Sequence, residues 1–187
     1  MFHIFPPKSH YLWIKDNPKF AGWAAHSLEE ISDSVKEGAE LVQHAIASKE
    51  EAIMKDIAEL TGYDWWKRVI RVYPTFLGPS WSHPLSLKTA RVVDGEPCPE
   101  NVGKMVGVLI HELVHNSASP KLFPNRETSE QAMDLVALEV MRRNGFDTKS
   151  YLDFSERITA EQNRYVPESI TTEELFNPTI KAYLANL

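Results

Sequence analysis

The stretch Glu100-Asn-Val-Gly-Lys-Met-Val-Gly-Val-Leu-Ile-His-Glu-Leu-Val-His115 reads as one helix, and its last five residues, His111-Glu-Leu-Val-His115, decide how the rest is read. Pro97, Pro99 and Glu100 stand at its entrance, where a helix tolerates proline and favours an acid. Residues four apart lie one turn above each other, so His111 and His115 can aim two imidazoles at one ion from a rigid face. Glu112 is turned about 100° around the axis from His111. From there it reaches a water beside the ion without ligating the ion, which suits a general base.

The next helix is read from about Thr128 to Arg143, with Thr128 and Gln131 as a capping box and Asn144-Gly145 as its stop. Glu130 and Asp134 lie one turn apart on it, near the apolar stripe of Met133, Ala137, Val140 and Met141. An acid pair on an inward face needs a partner, because an unpaired buried carboxylate is costly. A metal and its histidine would supply one. Glu127, one turn nearer the helix start, stands where the helix dipole alone favours an acid.

Upstream, Ser27-Leu-Glu-Glu30 is a capping box opening a long helix through Leu28, Ile31, Val35, Val42 and Ile46, continued by Ile53, Ile57 and Leu60 and stopped at Thr61-Gly62. A second box, Ser48-Lys-Glu-Glu51, offers a place to divide it, and His44 within it reads as a solvated histidine. Two β-rich runs, Trp65 to Phe76 and Leu85 to Val93, are bounded by Gly78-Pro79 and Asp94-Gly95 as turns. Residues 1–26 read as an irregular aromatic arm laid on the core through Phe5, Tyr11, Trp13, Phe20 and Trp23. Weaker helical signals follow at about 149–163 and 171–186.

The 187 residues carry a formal net charge of -6, with 43% hydrophobic and 25% charged residues, which fits one ordinary core and argues against a nucleic-acid surface. A single domain over 1–187 is expected. Cys98 is the only cysteine, so a metal must rest on histidines and carboxylates. Neither a signal-peptide pattern nor a membrane-spanning apolar run is read, so the expected location is cytoplasmic with no membrane partner.

With these residues in place, the sequence resembles the zincin metallopeptidases, whose pattern is His-Glu-x-x-His in uncharged helical flanks, here Val108 to Asn116. The metzincin branch needs glycine and histidine where Ala118 and Lys121 stand. The gluzincin branch takes a glutamate from a second helix as Glu-x-x-x-Asp, which Glu130-Gln-Ala-Met-Asp134 matches after a short spacer of residues 116–129. Over roughly 66–145 the order of elements is similar to that of the minigluzincins. The resemblance implies an α+β, zincin-like fold: a small, mostly antiparallel sheet packed on a backing helix, the histidine helix and the glutamate helix. It implies one Zn2+ per chain on His111, His115 and Glu130, with Glu127 as the alternative to Glu130 and Asp134 supporting a ligating histidine. A zinc so held lowers the pKa of water at its open position to roughly 7, and Glu112 would act as base in hydrolysis of a peptide or protein substrate. Tyr165 and Tyr151 are the candidates for stabilising the oxyanion, and Leu85 to Val93 for the edge strand that takes the substrate backbone. Some minigluzincins plug the cleft with a terminal segment, here 166–187 with Glu168, Glu173 and Glu174. The alternative is a catalytically silent zinc-binding regulatory or interaction domain. The oligomeric state stays open.

Overall fold

A computed structural model of the chain describes residues 21–62, 65, 70–76, 80–82, 85–117 and 126–154. Five helices come in the order α1 (Ala21–Ala24), α2 (Leu28–Ile46), α3 (Glu50–Thr61), α4 (Val102–Ser117) and α5 (Arg126–Arg143). Between α3 and α4 stand the strands β1 (Tyr73–Thr75), β2 (Trp81–Ser82), β3 (Leu85–Lys88), β4 (Ala90–Val93) and β5 (Glu96–Pro99). The class is α+β. Among the described residues no helix is long and apolar enough to cross a membrane.

The helix ends follow the local chemistry. Ser27 caps α2 by accepting from the Glu30 amide at 3.2 Å, while the Glu30 carboxylate accepts from the Ser27 amide at 2.8 Å. The long run divides at residues 47–49, but α3 starts from Lys49 without a side-chain cap, so the second box read at Ser48 does not form. Gly62, at φ 73°, closes α3 by donating to the Ala58 carbonyl. Asn101 caps α4, its side-chain oxygen accepting from the Lys104 amide. At the end of α5, Gly145 donates to the Arg142 carbonyl and Phe146 to that of Met141, the paired bonds of a Schellman motif.

The strands depart from the two runs read in the sequence. Of the first, 73–75 forms a strand among the described residues; the second breaks at Thr89 into β3 and β4. The three-stranded sheet has order β1-β3-β2, with β1 parallel and β2 antiparallel to β3, and β4-β5 is a separate antiparallel hairpin. It is therefore a mixed sheet beside a hairpin. Asp94 and Gly95, both at positive φ, make the expected hairpin turn. Pro97 and Pro99, read as the helix entrance, instead lie in β5. Glu100 donates its amide to the Thr89 carbonyl, so residues 96, 98 and 100 face β4 and the two proline nitrogens face outward, where no ladder bond is lost.

Thr89 joins the parts. Its amide donates to Thr75, its carbonyl accepts from Glu100, and its buried hydroxyl donates to the Val35 carbonyl of α2. A Cβ at Gly38 would run into the Thr89 carbonyl, so glycine there lets α2 lie directly on this junction. Helix α2 thus packs against β1, β4 and β5. Trp23, Ile31, Val35, Phe76 and Ala90 form a small core on its sheet side, with the Trp23 and Phe76 rings 5.0 Å apart. Trp23 accordingly belongs to a helical turn, not an irregular arm; Phe5, Tyr11, Trp13 and Phe20 lie outside the described residues. The main core joins Val42, Ile57, Leu87, Ile110, Val114 and Val140 across α2, α3, β3, α4 and α5.

Buried Glu100 accepts from Lys104 at 2.6 Å and from the Asn101 amide, with Arg91 at 3.5 Å. Burial pushes this carboxyl up, but those bonds outweigh it and hold it below its ordinary value. Stability from this cluster is therefore present above pH about 4.5 and lost as pH falls through the depressed folded value. Glu100→Gln is expected to flatten the acid limb of thermal stability measured against pH. Gly38→Ala is expected to destabilise by about 1–3 kcal/mol in denaturant unfolding, as an overpacked contact.

Candidate metal centre

Helix α4 packs on α5, and their contact brings the histidine pair and the acid pair together. On the α4 side, Met105, Val106, Leu109, Ile110 and Val114 are buried; on the α5 side, so are Met133, Val136, Ala137, Val140 and Met141. The apolar stripe read in the sequence is therefore the packing face. His111 and His115 stand at one end of it, opposite Glu130 and Asp134.

The Nε2 atoms of His111 and His115 are 3.0 Å apart, and the Glu130 Oε2 lies 3.2 Å from the first and 3.6 Å from the second. Tetrahedral coordination with bonds of about 2.0–2.1 Å sets ligand atoms roughly 3.3 Å apart. The triangle fits that spacing, and the group His111, His115, Glu130 could hold a metal ion. The donors are two nitrogens and one oxygen, which leaves room for a fourth ligand.

Behind the triangle, His111 Nδ1 and Asp134 Oδ1 are 2.7 Å apart, and the Tyr151 hydroxyl donates to the same carboxylate oxygen at 2.5 Å. A proton on Nδ1 shared with Asp134 leaves Nε2 with a free lone pair pointing at the other donors.

The charges agree with the geometry. Burial works against a charge on His111, yet its bonds to Asp134 and Glu130 outweigh that and raise the imidazole to about 10. Burial likewise works against the Glu130 carboxylate, and its bonds to His111 and His115 hold it below the ordinary range. Glu112 is pushed up by burial, which the attraction of the two histidines only partly offsets. Metal uptake needs deprotonated donors, so it competes with protonation of His111.

Of the remaining candidates, Tyr151 is placed on the Nδ1 side of His111, away from the face that His115 and Glu130 share. Its hydroxyl is engaged with Asp134, a position unlike that of an oxyanion donor. Tyr165 and the segment 166–187 lie outside the described residues, as does the side chain of Glu127. His44 is exposed on α2, and half-buried Cys98 lies in β5. The strand read as the substrate edge is corrected in part: β3 is paired on both sides, whereas among the described residues β2 borders the sheet next to α4.

Gly107, four residues before His111, was not singled out from the sequence. A Cβ there would collide with the Tyr151 ring, and at Gly103, one turn earlier, it would press on Asp147 and Ser150. A glycine inside a helical pattern, which weakens the helix, was the available signal. No family model, curated protein or solved structure matches this chain.

Glu130→Ala is expected to abolish stoichiometric uptake of zinc, used as the probe metal, while Glu127→Ala retains it. Elemental analysis of the purified proteins checks both.

Proposed function

We propose that the protein is a zinc-dependent peptidase of zincin-like architecture. The observation that carries this reading is the meeting of His111, His115 and Glu130 at ligand spacing, with Glu112 adjacent on the same helix. The donor set of two imidazoles and one carboxylate suits zinc, and its open position suits catalysis. When bound, zinc supplies Lewis acidity toward a scissile carbonyl and makes water acidic enough to react at neutral pH.

The chain's own residues do the rest. Glu112 takes the proton of the attacking water and hands it to the leaving amine, which needs a carboxylate close to the metal but not on it. Asp134 keeps His111 in the tautomer that presents Nε2. The apolar flanks of α4 keep the donors in a partly water-excluded setting, where a fixed charge acts more strongly. An extended peptide would add along β2 through main-chain hydrogen bonds, a mode that reads backbone ahead of side chains.

Glu112→Gln discriminates between this reading and a silent zinc-binding domain. The variant is expected to keep one zinc per chain and to lose about 10²–10⁴-fold in cleavage of unstructured peptides. Undiminished cleavage overturns the role of Glu112. A zinc-loaded wild type that cleaves no peptide favours the non-catalytic domain.

A further inference from the structure

Tyr151 is 1% exposed, yet a phenylalanine would fill the same space. What tyrosine adds is a hydroxyl, and it is spent on Asp134 Oδ1, the atom that also bonds His111 Nδ1. The hydroxyl oxygen lies 3.1 Å from Nδ1 as well, so three polar groups close a small triangle behind His111. Burial and the Asp134 charge push the tyrosine well above its ordinary pKa, and it remains a donor.

The ring is seated by glycine. Gly107 and Gly103 open a groove along α4 into which the helical segment 149–154 settles, Tyr151 over Gly107 and Ser150 beside Gly103. Gly107 is one turn from His111, so the ring entering there carries its hydroxyl toward the His111–Asp134 pair. Any larger residue at 107 would displace the ring.

From this geometry we infer that Tyr151 is a positioning residue for the metal ligand His111, acting through Asp134, and that Gly107 is the opening that admits it. The inference rests on the metal-centre reading and goes beyond it, since it assigns work to residues that touch neither metal nor substrate. Tyr151 fixes which way Oδ1 faces. Oδ1 in turn fixes the His111 ring plane and tautomer, and the three donors need both to meet at one point. The helical segment 149–154 is thereby tied to the centre, although none of the three donors comes from it.

A thermodynamic cycle tests this with zinc affinity, measured by chelator competition on the full chain. Tyr151→Phe is expected to weaken zinc by about 10-fold where Asp134 is intact, and to add nothing further in the Asp134→Ala background, because the pathway is already cut. Circular dichroism of the metal-free variants checks that both remain folded. In Co2+-substituted protein, the exchangeable Nδ1 proton of His111 should exchange with solvent faster in Tyr151→Phe. Should Asp134→Ala fail to fold, Asp134→Leu, which removes both oxygens at closer to the original volume, closes the cycle. A Tyr151→Phe variant with wild-type affinity and unchanged proton exchange overturns the positioning role alone, as does an equal loss in both backgrounds. A wild type that takes up no zinc overturns the metal-centre reading and the inference with it.

Discussion

The contact between α4 and α5 closes an apolar face around four polar groups, and each of the four must be satisfied where that face ends. Two imidazoles from one helix meet two carboxylates from the other, and His111 uses both ring nitrogens, one toward Asp134 and one toward Glu130. Dry packing elsewhere along the contact, with Ile110, Val114, Ala137 and Val140 at or near zero exposure, holds the helices in a single register. Slipping that register by a residue would turn Glu130 away from both histidines and strand an acid in the core.

The remaining elements serve to hold α4 in place. Its start is fixed by Asn101 and by buried Glu100, which reaches Lys104 one turn on and takes Arg91 from β4. Its far side lies against α2 and β3 through Val42 and Leu87. Helix α5 is secured to α3 at its other end, where Arg143 bridges Glu139 and Asp56, and the Asn144 side chain donates to Asp56. Held at the start of α4 and at the end of α5, the two helices bring their side chains to the candidate centre in fixed positions.

Two glycines bear the cost of close approach. Gly38 lets α2 touch the Thr89 junction, and Gly107 lets Tyr151 reach the back of the centre. Glycine inside a helix is unfavourable by about 1 kcal/mol relative to alanine, so each position gives up local stability for a contact made by a distant part of the chain. That is why neither stood out from a local pattern.

The local grammar of this chain was legible: the Ser27 capping box, the Asp94-Gly95 turn, the stop at Asn144-Gly145 and the helical spacing of His111, Glu112 and His115 all depend on neighbours a few residues away. The pairing of Glu130 with the histidines was also foreseeable, because an acid on an apolar face calls for a partner. Strand boundaries were not, since Thr89 breaks its run only to bond with Thr75, Glu100 and Val35. The place of Pro97 and Pro99 in a strand likewise depended on which edge of β4 they met. Tyr151 and Gly107 belong to the same class. The sequence by itself determined the course of the long helices, the Ser27 cap and the donors they carry, because those follow from short-range hydrogen bonding and periodicity. Only the tertiary structure decided which oxygen each histidine nitrogen meets and what stands behind it, because those distances are set by packing between segments far apart in the chain.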